Sequence, residues 1–227
     1  MEDHVKRFKK KKIHLISKEL AKYVIFNAAN WHEILTWFGY SKVRFFSEYP
    51  SSFSWEDSFS NMMGIYLVDK VLDLEDNDYN IEMTKSLQIE MESLIMLDRT
   101  ESIATTNKVK NLWYKGWVPG LLIMKYRNFD IGNNDGYINP TIIPNNDFCS
   151  EKLHPGYKIP TLKNVNEYGV LFELNIEPKE HTKKEILKVV YGGNFKKYSS
   201  INSEKHIPLI MKYIKKKALE KGYKFID

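Results

Sequence analysis

The order of hydrophobic patterns predicts an α+β fold, with an N-terminal helical half followed by short antiparallel strands and two C-terminal helices. Apolar residues recur at helical spacing up to about residue 110, and β-rich runs broken by Gly, Pro and Asn-Asn-Asp-Gly begin at Trp113. The absence of βαβ alternation argues against a doubly wound sheet. We expect a single domain over residues 1–227, mainly helical at 1–110 and mixed at 111–227.

The first helix is predicted to begin after Ser17, a typical N-cap residue, and to end before Gly39. Its main apolar stripe is predicted to consist of Leu20, Val24, Ala28, Trp31, Leu35 and Phe38, and Phe26, Ala29 and Trp37 cover much of the opposite side. A helix that is apolar on nearly every side is typically buried. His32 lies at the border of its main apolar stripe, and Glu33 faces a second packed surface. Because an isolated buried carboxylate is costly, Glu33 needs a hydrogen-bond donor, a cation or a proton.

The second helix is predicted to begin at Ser54, with Asp57 completing a variant of the capping box. Glu56 and Asp57 in its first turn suit the positive end of the helix dipole. One narrow polar face then follows from spacings of three and four residues. We expect this polar seam to pack tightly against the first helix, and it consists of Asp57, Ser60, Asn61 and Gly64.

The remaining elements follow from local signals. They are a helix over 81–97, a polar helix or loop over 100–110, strands over 121–126, 137–143 and 170–176, a long surface loop over 145–168, a helix opened by a Thr182–Glu185 capping box and ended by Gly192, and an amphipathic helix over 207–221. The inward side of this last helix is predicted to consist of Ile207, Ile210, Met211, Ile214 and Ala218.

Composition narrows the possible partners and compartment. The net charge of +5 comes with blocks of lysine, which are usually solvated surfaces, so we predict no nucleic-acid partner. Cys149 is the only cysteine, which excludes an internal disulfide and a thiolate metal cluster. No apolar run approaches the ~20 residues of a membrane span. This sequence contains no signal peptide, which is typical of a cytoplasmic protein.

Four segments together resemble an uncharacterised bacterial family, domain of unknown function 4056. They are WHEILTWFGYS, FSEYPSSFSWEDSFSNMMG, VKNLWYKGWVP and MKYRNFDIGNNDGYINPTIIP. The resemblance implies a fold and a candidate site but no activity. Members of this family are often exported and carry an upstream His-Ile-Arg-Asp element. The resemblance therefore leaves the cellular compartment of this protein undecided. If an upstream segment normally covers the site, we expect an open groove beside Glu33 with Trp37 or Phe26 at its rim, and loosely ordered residues 6–12.

The candidate site residues are His32, Glu33, Glu56, Asp57 and Asn61. His32 and Glu33 match the first two positions of the zinc-binding motif HExxH, but Thr36 stands where that motif has its second histidine. His32 and Glu33 remain candidate ligands of a divalent metal such as zinc, completed by an upstream histidine. Alternatively, Glu33 and a neighbouring carboxylate form an acid pair of the kind that cleaves glycosidic bonds. No cofactor-binding phosphate loop is present.

Two functions remain open at this point. The first is a metal-assisted or carboxylate-dependent hydrolase that acts on a glycan or peptide of the cell envelope. In it, Glu33 is the acid/base, His32 a ligand or proton shuttle, and Asp57 with Asn61 orients them. The alternative is a non-catalytic structural or binding domain in which the polar seam locks two helices together.

Overall fold

The computed structural model describes residues 2–40, 48–74, 78–94, 97–116, 122–143, 156–167, 169, 171–179 and 181–226, without the side chains of 2–8 and 164. Its helices are α1 (Glu2–Trp37), α2 (Asp57–Val71), α3 (Tyr79–Ser93), α4 (Arg99–Lys108), α5 (Leu162–Asn166), α6 (Lys183–Tyr191) and α7 (Ser203–Glu220). Its strands are β1 (Tyr114–Lys115), β2 (Ile123–Met124), β3 (Tyr126–Asn128), β4 (Tyr137–Ile138), β5 (Tyr157–Lys158), β6 (Asn175–Ile176), β7 (Ile201–Asn202) and β8 (Lys224–Ile226). Two 3-10 helices cover Tyr49–Ser51 and Gly192–Lys197.

The predicted α+β class is confirmed. Among the described residues, the strands form two-stranded sheets, and three of these, β1–β2, β4–β5 and β6–β7, are antiparallel. The pair β3–β8 is parallel and sets Arg127 opposite Phe225. This pairing joins distant parts of the sequence, and it places Tyr223, the residue before β8, beside Trp37 of α1.

Helix α1 ends where predicted, since Trp37 is its last residue and Gly39 adopts a φ of +92°. Its predicted start at Ser17 is wrong, because the helix runs from Glu2 and includes residues 6–12, which we expected to be loosely ordered. Lysine is a good helix former, so the basic stretch extends the helix rather than interrupting it.

The buried face of α1 differs from the predicted one. Val24 is 40% exposed, whereas Phe26 is 8%, Glu33 9% and Trp37 6% exposed. Phe26 packs against Met62, and Trp37 packs in the main core. The expected open groove beside Glu33, with Trp37 or Phe26 at its rim, is therefore wrong.

The predicted polar seam between the first two helices is also wrong. Ser60, Asn61 and Gly64 are exposed, and the space that a Cβ at Gly64 would occupy is open. Helix α2 instead contacts α1 through the buried side chains of Met62 and Ile65. Apolar burial stabilises this contact more than a row of polar groups would, because it requires no desolvation of hydrogen-bonding atoms.

The C-terminal half matches the expected helices better than the expected strands. Helix α7 buries the five predicted residues, which are Ile207, Ile210, Met211, Ile214 and Ala218. The predicted loop over 145–168 contains β5 and α5, and its residues 145–155 lie outside the described residues, as do Leu121 and Val170 at the predicted strand ends. Helix α6 ends at Gly192 as predicted, but Thr182 makes no capping hydrogen bond.

We predict that Gly64→Ala raises the free energy of unfolding by about 0.5–1 kcal/mol, because alanine is the better helix former and nothing obstructs its Cβ. Gly132→Ala is expected to lower it by about 1–2 kcal/mol, since Gly132 has a φ of +72° and a Cβ there would lie 2.5 Å from Ile159. Urea denaturation of both variants measures this. If Gly64→Ala instead destabilises the protein, the open space beside Gly64 is contradicted and a close helix–helix contact at this residue is indicated.

Candidate functional site

The Glu33 carboxylate is bound to the main chain of the segment that follows α1. Its Oε2 accepts a hydrogen bond of 2.5 Å from the amide of Phe53, and the side chain is 9% exposed. The carbonyl of Phe53 accepts a bond of 2.9 Å from the amide of Asn128 in β3. Both main-chain groups of one residue are thus bonded, one to α1 and one to β3.

Phe53 has a strained backbone conformation. Its φ of +54° is left-handed, which costs a non-glycine residue about 1 kcal/mol or more. Its ring is 1% exposed and packs edge-on against Phe129, with ring centroids 4.9 Å apart. Burial of the ring and the bond to Glu33 together hold this conformation.

Arg127 is the cation of the site and is fully buried, at 0% exposed. Its Nη1 donates to the carbonyl of Ser52 and, over 2.7 Å, to the Ser52 hydroxyl, and both Nη atoms lie 3.3 Å from the carbonyl of Tyr49. A guanidinium presents donors in a rigid fork, which suits several oxygens on one tight turn. Arg127 therefore ties β3 to the 3-10 helix at Tyr49–Ser51.

Three aromatic rings surround the guanidinium. Its Cζ lies 4.5 Å from the ring centre of Tyr223, 5.2 Å from that of Tyr49 and 5.4 Å from that of Trp37. Aromatic faces attract cations, and more strongly where water is excluded. Residues from α1, the 3-10 helix and the segment before β8 thus meet around one buried charge.

The pKa of Glu33 is raised to about 7, chiefly by burial and secondly by the neighbouring Asp57 carboxylate. The Phe53 amide and the charge of Arg127 act in the opposite direction. Desolvation exceeds these two effects because the carboxylate has lost nearly all contact with water. Glu33 is therefore able to exchange a proton near neutral pH.

The other predicted residues lie around Glu33 at the surface. Partial loss of water raises the pKa of Asp57 and of Glu56, although the Glu56 side chain still reaches the surface. The Ser54 hydroxyl lies within hydrogen-bonding reach of both carboxylates and lowers their pKa values. The charge of His32 also lowers the pKa of Asp57. Ser54 thus binds these acids without being the N-cap of α2, a position held by Glu56.

His32 faces solvent rather than the interior. Its side chain is 44% exposed, and its Nε2 lies 3.9 Å from a carboxylate oxygen of Glu48. Consecutive helical residues point about 100° apart, so His32 and Glu33 occupy different environments. The structure thus brings His32, Glu33, Glu56 and Asp57 into electrostatic contact, whereas Asn61 lies one turn along α2 and is exposed.

Metal binding at His32 and Glu33 stays a prediction. Among the described residues, no group of three His, Cys, Asp or Glu side chains is arranged to hold a metal ion. One carboxylate oxygen of Glu33 already accepts the Phe53 amide. The donor set expected of a structural or catalytic zinc site, three or four converging ligands, is therefore not assembled in this part of the chain.

Sequence reasoning missed Arg127. The signal was the arginine in the predicted strand sequence MKYRNF. Side chains alternate between the two faces of a strand, so Arg127 falls on the opposite face from Tyr126 and Asn128. A buried arginine requires acceptors, but the pattern does not identify carbonyls 75 and 78 residues away as those acceptors.

Comparison with known proteins identifies the family. The model of a family described as protein of unknown function (DUF4056) matches residues 1–143, more than half of the chain, and the chain belongs to that family. The match includes His32, Glu33, the Tyr49–Asp57 segment and Arg127. No curated protein and no solved structure matches the chain. Within the described residues, no helix is long and apolar enough to cross a membrane.

We predict that the free energy of unfolding falls by about 3 kcal/mol as pH rises from 4.5 to 7, because the folded state holds a proton on Glu33 that the unfolded state releases at lower pH. Raised pKa values at Glu56 and Asp57 act in the same direction. Glu33→Gln keeps an acceptor for the Phe53 amide and should remove most of this slope. Urea titrations at several pH values test it, and an unchanged slope in Glu33→Gln would contradict it.

We further predict that Arg127→Met lowers the free energy of unfolding by about 3–5 kcal/mol, because two main-chain carbonyls and Glu33 then remain buried without their cation. Lys125→Met is the matched control, since the lysine donates to the carbonyl of Asn111 at an exposed position and should change stability by less than about 1 kcal/mol. Equal effects of the two substitutions would rule out the special role of Arg127.

Proposed function

We propose that this member of the DUF4056 family is a non-catalytic binding domain for a glycan or peptide, whose binding surface is fixed from below by Glu33 and Arg127. The observation that carries the proposal is the bond from the Phe53 amide to a Glu33 carboxylate that is only 9% exposed. A carboxylate in this position fixes the main chain and does not meet a substrate.

The surface above this network has the properties of a binding site. His32 and Glu48 are partly exposed, Glu56 is exposed, and Asp57 is half-buried. These groups donate and accept hydrogen bonds, as recognition of sugar hydroxyls or peptide amides requires. Because the segment beneath them is held by Arg127 and Glu33, little conformational entropy is lost when a ligand binds.

A second candidate is a carboxylate-dependent hydrolase acting on the cell envelope, metal-assisted if His32 and Glu33 bind a metal. It is favoured by the pKa of Glu33, which at about 7 suits a general acid/base, and by the adjacent Asp57 carboxylate. His32 would shuttle protons, and Asp57 with Asn61 would orient the groups. This mechanism requires the Tyr49–Asp57 segment to move so that Glu33 meets the substrate.

We also propose that residues 1–227 form one domain. The largest apolar cluster supports this, because it includes Ile34 and Trp37 of α1 together with Ile186 of α6 and Ile210 of α7. A core shared by both halves would leave each half with an exposed apolar face if the halves were separated.

Purified peptidoglycan, which carries both glycan and peptide, is the probe that separates the two functions. We predict that the protein cosediments with it and releases no soluble fragments. The pair Glu56→Gln with Asp57→Asn should weaken binding at least tenfold, because it removes one exposed and one half-buried carboxylate from the proposed surface. Glu33→Gln should leave binding within about threefold, since it keeps the acceptor for Phe53.

The control is Glu82→Gln with Glu92→Gln on α3, which removes the same charge elsewhere. Fragment release that is abolished by Glu33→Gln would replace the binding proposal with the hydrolase. If the protein neither cosediments with peptidoglycan nor releases fragments, both functions are rejected. Equal loss of binding in the control pair would reject the assigned surface.

A further inference from the structure

A basic depression of about 350 Å³ lies at the N-terminus of α6 and shares no lining residue with the Glu33 site. Besides Leu187, it is lined by His181, Lys183, Lys184, Phe195, Lys196 and Tyr198. No Asp or Glu is among the described residues that line it. The volume is within the range of sites for small ligands.

The start of helix α6 is not capped by a side chain. The carbonyl of Thr182 accepts from the amides of Glu185 and Ile186, but its hydroxyl makes no capping bond. That hydroxyl belongs to a side chain 4% exposed and has no hydrogen-bond partner among the described residues. The first amides of α6, which belong to Lys183 and Lys184, thus add the positive end of the helix dipole to this basic depression.

Two aromatic side chains, Phe195 and Tyr198, also line the depression. The ring of Tyr198 is 48% exposed and stacks on Tyr191, with centroids 3.8 Å apart and planes 7° from parallel. Phe195 is half-buried, and the ammonium of Lys188 lies 5.4 Å from its ring centre. A flat apolar surface therefore stands next to several cations, an arrangement that suits a ligand with one anionic and one apolar part.

We propose that this depression binds a phosphate-bearing ligand, with the phosphate on the lysines at the start of α6 and on Lys196, and an aromatic or apolar part against Phe195 and Tyr198. Phosphate oxygens accept charge-assisted hydrogen bonds from lysine and from helix N-terminal amides. Two described acidic residues lie near these cations: Glu177, 3.8 Å from Lys183, and Glu185, in the first turn of α6. The phosphate must compete with both. Lys184 and Lys196 are exposed, so a ligand reaches them without rearrangement.

Isothermal titration calorimetry at low salt tests the proposal with adenosine monophosphate, adenosine, inorganic phosphate and a long-chain polyphosphate. We expect the monophosphate to bind at least tenfold more tightly than adenosine and more tightly than phosphate alone. Lys184→Gln with Lys196→Gln should weaken binding at least tenfold, and Tyr198→Ala should weaken the monophosphate but not phosphate. Added salt should weaken all binding, because exposed charges are screened.

The control pair, Lys212→Gln with Lys216→Gln on the exposed side of α7, removes the same charge and should change affinity by less than twofold. Circular dichroism verifies that each variant is folded. If polyphosphate binds more tightly than the monophosphate and loses this binding in the variant with Lys184→Gln and Lys196→Gln, the site is supported. That result would also identify a phosphorylated polymer as the source of the phosphate. Absence of binding by any phosphate compound, or equal losses in both pairs, would overturn the proposal.

Discussion

The guanidinium of Arg127, buried beneath the Tyr49–Phe53 segment, is the interaction on which the arrangement around Glu33 depends. It binds the carbonyls of Tyr49 and Ser52, and the rings of Trp37, Tyr49 and Tyr223 surround it. Removing an arginine from water is costly unless its donors find acceptors, so the segment must keep the shape that presents these carbonyls. The strained backbone of Phe53 is one consequence, since it directs an amide at Glu33 while the ring enters the core.

The same burial gives Glu33 two properties that favour different functions. Loss of water raises its pKa to about 7, which a proton-transfer catalyst requires. Loss of water also means that no substrate reaches it while the segment is in place, and its hydrogen bond to the main chain is that of a structural carboxylate. Perturbed pKa values occur in buried structural networks as well as in active sites, so the raised pKa of Glu33 does not by itself identify a catalyst. His32, Glu56 and Asp57 lie nearer the surface than Glu33, so they are the groups that the proposed ligand would contact.

Charge is distributed unevenly between the two proposed binding surfaces. The surface above Glu33 is mainly acidic, with Glu48, Glu56 and Asp57 around one histidine. The depression at the start of α6 is basic among its described lining residues, and the helix dipole there has the same sign as the lysines. The two proposed surfaces therefore favour ligands of opposite charge.

The sequence by itself determined the α+β class, the end of α1 before Gly39, the buried face of α7 and the position of Glu33 on a packed side of α1, because these follow from periodicity and from residues within one or two helical turns. Only the tertiary structure decided how Glu33 and Arg127 are compensated, that β3 pairs in parallel with β8, and that α2 packs through Met62 and Ile65 rather than through Ser60 and Gly64. Those choices depend on which distant groups compete for one donor or one apolar surface. Local patterns contain no information on that competition, which burial and hydrogen bonding resolve only when the whole chain is folded.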